Sequence, residues 1–207
     1  MSRTVKTLTP SECDLLIGSV TWTDPTMYLF KEKLRNKLMI LLMLDAGLRV
    51  GELVKLKISD LFFGDHPVNT LILRAEITKS HKERCVPMSD RLVSTIWENT
   101  THLWRAHERG SETYAFTQSW KGKPLSTRQV QRIVSSASLI ALHRTIHPHV
   151  LRHTFATRLM QKTNIRVVQQ LLGHSSLQST QIYTHPNSID LRNAIDAIQA
   201  EKKETLS

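Results

Sequence analysis

No aspartate or glutamate occurs between Thr113 and Ile189, and the same run holds nine lysines or arginines and six of the ten histidines. Globular surfaces usually interleave both signs. Here the cations are spread through apolar, helix-like sequence rather than gathered in a tail. The run supplies nine of the chain's net ten positive charges. A surface of one sign this long asks for a partner of the other. Nucleic acid is the first candidate, because phosphates attract Lys and Arg by charge and by counterion release. A solvated basic face is the blander alternative.

With 207 residues, 40% of them hydrophobic, one domain with a real core is expected. The longest apolar run, Leu38 to Leu44, falls far short of the ~20 residues a membrane span needs. The start MSRTVKTLTP has no apolar signal core. The expectation is a soluble, cytoplasmic protein. Its two cysteines, Cys13 and Cys85, form no disulfide framework and are read as reduced.

Residues 1–7 read as a tail or linker end. Thr9-Pro10-Ser11-Glu12 is a helix start, with Thr9 and Glu12 forming a capping box; the helix runs to about Gly18. Asp24-Pro25 opens a second helix, whose apolar face (Leu34, Leu38, Met39, Leu41, Leu42) ends near Ala46 at the Gly47 stop. A short helical piece reaches Leu56. Thr70 to Thr78 and Arg84 to Pro87 read as the strands of a hairpin, with a further strand near Leu61 to Phe63. Ser89 caps a helix to about His107, and Glu108 to Gly110 ends it. Ser126 to Gln129 is another capping box, for a helix to about Ala141. Pro148 starts a helix through Gln161. Ile165 to Leu172 forms a short helix with Gly173 at its stop, and Ser176 to Tyr183 forms another. A last helix over 187–200 shows one apolar stripe, and 201–207 is a tail. The fold class is mainly α with a small antiparallel β-sheet.

His149 and Arg152 stand at i and i+3, on one helix face. An arginine fork there can bond two phosphate oxygens, and a neighbouring histidine can move a proton near neutral pH. Arg49 follows a glycine stop, with Glu52 three residues on to orient it. Lys79 lies in or beside the hairpin turn, with Lys82 as a competitor for the same role. Tyr183 is a poor nucleophile until it loses its proton, since its ordinary pKa is about 10; cations and a base make its attack feasible. The basic run has no carboxylate to hold Mg²⁺. His147, His149 and His153 imitate a zinc cluster, but no CxxC or HExxH accompanies them. No metal and no cofactor are expected.

In order along the chain, LDAGLRVGEL (44–53), TKSHKERCVP (78–87), HVLRHTFAT (149–157), LLGHSS (171–176) and TQIYTH (180–185) resemble the boxes of the tyrosine recombinases, the phage-integrase family. The resemblance covers about Leu8 to Ala200. It implies the family's catalytic-domain fold over 8–200, with double-stranded DNA as partner and bacterial or phage, nucleoid-associated use. It implies that Tyr183 attacks a phosphodiester to give a 3′-phosphotyrosyl link. Arg49 and Arg152 then hold the non-bridging oxygens, Lys79 protonates the leaving 5′-oxygen, His149 is base towards Tyr183, and His174 bonds the phosphate. Glu52 supports them. Lys82, Arg84, Lys121, Lys123, Arg128 and Arg132 are expected DNA contacts. The family usually places a helical DNA-clamping domain before the catalytic one, and this chain begins within about ten residues of the latter. Two readings stay open: a short recombinase without the clamp, resembling fimbrial-switch invertases, or a piece of a larger integrase. The family also assembles as tetramers on DNA, with the 187–200 helix as the expected docking segment. The alternatives are type IB topoisomerase-like nicking and closing, or a DNA-binding regulator or architectural protein with an unused site.

Overall fold

Helix α2 (Met27–Asp45) is the axis around which the other elements pack. The computed structural model describes residues 7–20, 27–104, 112–118 and 123–173, with backbone alone for 27–29. Leu38 to Leu44 are buried on every side of α2, which is what an apolar run without polar interruption requires of a helix. α5 (Asp90–His102) and α7 (Pro148–Met160) pack on α2, while α1 (Pro10–Ser19) packs on α6 (Thr127–Leu142). The expected starts at Thr9, Ser89, Ser126 and Pro148 hold. Thr9 Oγ1 accepts from the Glu12 N–H and Glu12 Oε2 accepts from the Thr9 N–H, and Ser126 and Gln129 repeat the box on α6. These contacts satisfy N–H groups that a helix start otherwise leaves without partners.

After α2, Gly47 adopts φ +63 and the chain reverses, with the Leu48 N–H reaching back to the Leu42 carbonyl. Two single-turn helices follow, α3 (Val50–Leu53) and α4 (Ile58–Leu61). Among the described residues, the strands form two separate antiparallel pairs rather than one sheet, β1 (Phe62–Phe63) with β2 (His66–Pro67) and β3 (Thr70–Leu73) with β4 (Arg84–Pro87), beside isolated bridges at Lys57–Tyr114 and Thr117–Pro124. The segment near Leu61 to Phe63 is thus a strand, but Gly64 at φ +60 folds it back on its own neighbour. β3 also stops earlier than expected, at Leu73. The Arg74 side chain turns to Asp60 with two hydrogen bonds (3.0 and 3.1 Å), and Ala75–Ile77 close into a 3₁₀ turn.

α5 ends at His102 instead of His107. The N–H groups of Leu103 and Trp104 both return to the Asn99 carbonyl, and the Trp104 indole N–H donates to the Ala115 carbonyl (3.1 Å). α8 (Ile165–Leu172) follows α7 after a turn whose Asn164 caps it by accepting from the Arg166 and Val167 N–H groups. Ala156, Val168 and Leu172 form a small second core with Phe155, Leu159 and Met160, which ties α8 to α7. Residues 1–6 and 201–207 of the expected tails, the Asp24-Pro25 start, the Glu108 to Gly110 stop and the helices at Ser176 to Tyr183 and 187–200 lie outside the described residues. No described helix is long and apolar enough to cross a membrane.

Candidate active site

Glu52, at the third position of α3, is the centre of the site. Its side chain is 2% exposed. Its Oε2 accepts from the Arg49 backbone N–H (2.8 Å) and its Oε1 from Arg49 Nη1 (3.0 Å). The first contact is the return half of a capping box; the second aims the arginine. Arg152, on the buried face of α7, donates from Nη1 to the Gly47 carbonyl and from Nη2 to the Leu172 carbonyl (2.7 Å), and lies 4.0 Å from Glu52 Oε2. Arg49 Nη1 also reaches the Leu172 carbonyl, at 3.4 Å. The two arginines therefore meet on one carboxylate and one carbonyl. That carbonyl comes from the end of α8, where helix carbonyls lack intrahelical donors and carry the negative pole of the dipole.

Arg84 corrects an expectation. As a DNA contact it would need to stand at the surface, yet its side chain is only 4% exposed. It donates from Nη1 to Glu52 Oε1 (2.9 Å), from Nη2 to Glu52 Oε2 (2.7 Å) and from Nε to the Leu171 carbonyl (3.0 Å). Burial alone would raise the Glu52 carboxyl. The Arg84 hydrogen bonds and charge outweigh it, with the Arg49 N–H and Arg152 adding, and the pKa lies below its ordinary value.

Lys79 is exposed on the loop between β3 and β4, just after the 3₁₀ turn. The loop is closed by Thr78, whose Oγ1 donates to the Ala75 and Lys82 carbonyls (3.1 and 2.9 Å), and His81 takes a positive φ. Lys82 is exposed too and lines, with Arg166, a cleft between this loop and α8. His149 is exposed on the first turn of α7, its ring centroid 6.5 Å from that of His153. Neither Lys79 nor His149 hydrogen-bonds to the arginine–glutamate cluster. Burial, then His149 and Arg152, push the His153 pKa down. Lys123, Arg128 and Arg132 are exposed, the last two on α6. Lys121, His174 and Tyr183 lie outside the described residues. Among the described residues, no group of three or more His, Cys, Asp or Glu side chains is placed to hold a metal.

Sequence reasoning missed the Gly47, Leu171 and Leu172 carbonyls and the inward Arg84. Backbone acceptors leave no signal in residue type. Arg84 left one: it sits two residues before Val86 on a strand, so both face the same side, and Val86 is a core residue.

The comparisons bear on the family and the fold. The phage integrase family model matches residues 7–189. A tyrosine recombinase of Pseudothermotoga lettingae is 37% identical over 169 residues, 81% of this chain and 55% of that protein. The XerA recombinase structure superposes with a TM-score of 0.67 at 29% identity, covering 93% of this chain and 65% of the other. The XerH site-specific recombinase, bound to its difH substrate in a pre-cleavage complex, superposes at 0.68 with 24% identity over 92% and 53% of the two chains, a likeness of fold alone. The domain is built as tyrosine recombinase catalytic domains are built. The chain belongs to the phage integrase family, and it spans about half the length of the relative it matches.

Proposed function

We propose that this chain breaks and rejoins double-stranded DNA at specific sites through a 3′-phosphotyrosyl intermediate, with 8–200 as the breaking and rejoining domain. The observation that carries the reading is the convergence of Arg49 and Arg152 on Glu52 and the Leu172 carbonyl. These acceptors hold two guanidiniums from distant parts of the chain next to each other, and a fixed pair of donors is what a phosphate's developing charge needs. The Tyr183 oxygen attacks phosphorus and its proton passes to His149. The P–O5′ bond breaks as Lys79 gives the leaving oxygen a proton, and His174 bonds the phosphate. A 5′-hydroxyl from a partner strand reverses the step, so the bond energy is kept in the covalent link. DNA is the partner the basic run fits, through exposed Lys123, Arg128 and Arg132 and through Lys121, with exposed Lys82 on the hairpin loop adding to them. We place the protein with bacterial or phage DNA on the nucleoid, acting as a tetramer on paired sites through the 187–200 helix.

A random-sequence library of nicked duplexes tests this. Wild-type protein should form a denaturation-resistant adduct with an enriched sequence, and Tyr183→Phe should form none. Arg49→Ala and Arg152→Ala should each slow adduct formation by about 10²–10³-fold. The same absence of adduct in wild type and Tyr183→Phe would overturn the proposal. Adducts without sequence enrichment would point to nicking and closing instead, and footprints without adducts to a binding protein.

A further inference from the structure

We infer that Arg84 is a positioning residue of the strand-transfer site: it neutralises Glu52, so that Glu52 can aim Arg49 and Arg152 without drawing their charge away from a phosphate. The inference rests on the strand-transfer reading above. Three guanidiniums among the described residues lie within 4.0 Å of one carboxylate, and they do not share it equally. Arg84 takes both oxygens, at 2.9 and 2.7 Å. Arg49 Nη1 holds one oxygen at 3.0 Å, and Arg152 comes no closer than 4.0 Å. The strongest, two-point geometry thus belongs to Arg84, whose three guanidinium nitrogens are all engaged by Glu52 and the Leu171 carbonyl. A buried carboxylate needs a counter-ion. With Arg84 in that role, the cluster keeps an excess of positive charge at Arg49 and Arg152.

Arg84 also ties three parts of the site together. It opens β4 opposite Leu73, at the base of the loop that bears Lys79. Its Nε holds the Leu171 carbonyl, one residue before the carbonyl that receives Arg49 and Arg152. It packs on Gly173, where an added Cβ would sit 2.9 Å from Arg84 Cδ. Without Arg84, both Glu52 oxygens lose their main donors, and the nearest replacements are the two guanidiniums the reaction uses. They would be pulled inward and their field at the phosphate would fall.

The test uses Arg84→Met, Arg84→Lys and the double variant Arg84→Met/Glu52→Gln, each checked for folding by thermal melting. The substrate is the duplex enriched with wild-type protein, made with a scissile phosphodiester or with an uncharged methylphosphonate. Arg84→Met should slow adduct formation on the diester about 10²-fold, as misplacement of a reacting group does, and the double variant should regain about tenfold of that loss because a neutral amide in place of the carboxylate no longer attracts the arginines. Arg84→Lys should regain less than the double variant, since a point charge cannot span both oxygens. The Arg84→Met deficit should shrink on the methylphosphonate, which offers the arginines no charge. A double variant no faster than Arg84→Met, or equal deficits on both substrates, would reduce Arg84 to a structural residue. Should Arg84→Met fail to fold, Arg84→Lys against the double variant decides the matter in the same way. If wild type forms no adduct, the strand-transfer reading falls, and inorganic phosphate titrated against the Arg49 and Arg152 Nε–H signals of ¹⁵N-labelled protein still decides the role of Arg84. Phosphate affinity weakened in Arg84→Met and restored in the double variant upholds it; unchanged affinity overturns it.

Discussion

Arg84–Glu52 and Arg91–Asp45 are both two-point arginine–carboxylate pairs, with contacts of 2.9 and 2.7 Å in the first and 2.9 and 2.6 Å in the second. Their surroundings differ. The side chains of Arg84 and Glu52 are 4% and 2% exposed, while Arg91 is 43% and Asp45 10% exposed. The outer pair links the end of α2 to the start of α5, and water and salt compete for it. The inner pair has no such substitute, so each member depends on the other and on the carbonyls and N–H groups around it. The same fork geometry is therefore a minor staple in one place and the organising contact of a site in the other. Burial, not geometry, separates them.

The largest contrast comes from removing the inner carboxylate. Glu52→Ala leaves three guanidiniums without their common counter-ion, and breaking a buried pair in this way costs about 3–5 kcal/mol. Urea unfolding would read it directly, and a loss below ~1 kcal/mol, the range of an exposed pair, would erase the distinction. Next in size is a test of the backbone under the cluster. The Gly47 carbonyl receives Arg152, its φ is +63, and an added Cβ would press into the Phe155 ring. Gly47→Ala should cost about 1–3 kcal/mol by overpacking alone. Gly51, four residues on, has nothing within 4 Å of an added Cβ and lies in α3. Gly51→Ala should be neutral or stabilise by about 0.4–1 kcal/mol. Equal effects at the two glycines would show that the Arg152 acceptor has room to shift.

How much of this could be read beforehand depends on what carries each contact. Helix starts were legible because capping is local: Thr9 with Glu12, and Ser126 with Gln129, announce themselves three residues apart. Gly47 and Gly173 were legible as stops because both take the left-handed backbone that glycine accepts most readily. The end of β3 was not, because Arg74 leaves the strand to meet Asp60, a partner fourteen residues away. The end of α5 was not, because it is set by the Trp104 indole on the Ala115 carbonyl. At the site, Arg49, Arg152 and Glu52 were weak signals taken singly and became legible through the resemblance of LDAGLRVGEL and HVLRHTFAT to the tyrosine recombinase boxes. The charge of Arg84 points to the surface, and only its strand register points inward.

Acid should act on the inner region at two points. Glu52 has a folded pKa below its unfolded value, so its contribution to stability is complete above about pH 4.5 and is lost as pH falls through the lower folded value. His153, half-buried beside His149 and Arg152, also has a depressed pKa. Its neutral form is the one the fold accepts, so stability is complete above about pH 6.5 and declines as pH falls towards the folded value. Melting curves from pH 8 downward should bend first with His153 and again with Glu52. His153→Asn should remove the upper bend and Glu52→Gln the lower one. A wild-type curve flat from about pH 6.5 to pH 3 would contradict both assignments.

The smallest effect belongs to the outer pair. Arg91→Ala should cost about 0.2–1 kcal/mol, because Arg91 is solvated in either state and Asp45 keeps the Ser89 hydroxyl at 3.4 Å. Hydrogen bonding to Asp45 raises the Arg91 pKa, but that arginine is charged at any working pH with or without the shift. The residual effect is Coulombic and open to screening, so raising salt from about 0.05 to about 0.5 M should close the gap between Arg91→Ala and wild type. The corresponding gap for Glu52→Ala should survive the same salt, since ions do not enter the space between Glu52 and its arginines. A salt-resistant loss of ~2 kcal/mol or more at Arg91 would mean that the α2–α5 junction is held as tightly as the site itself. Exposure would then be the wrong variable for telling the two pairs apart.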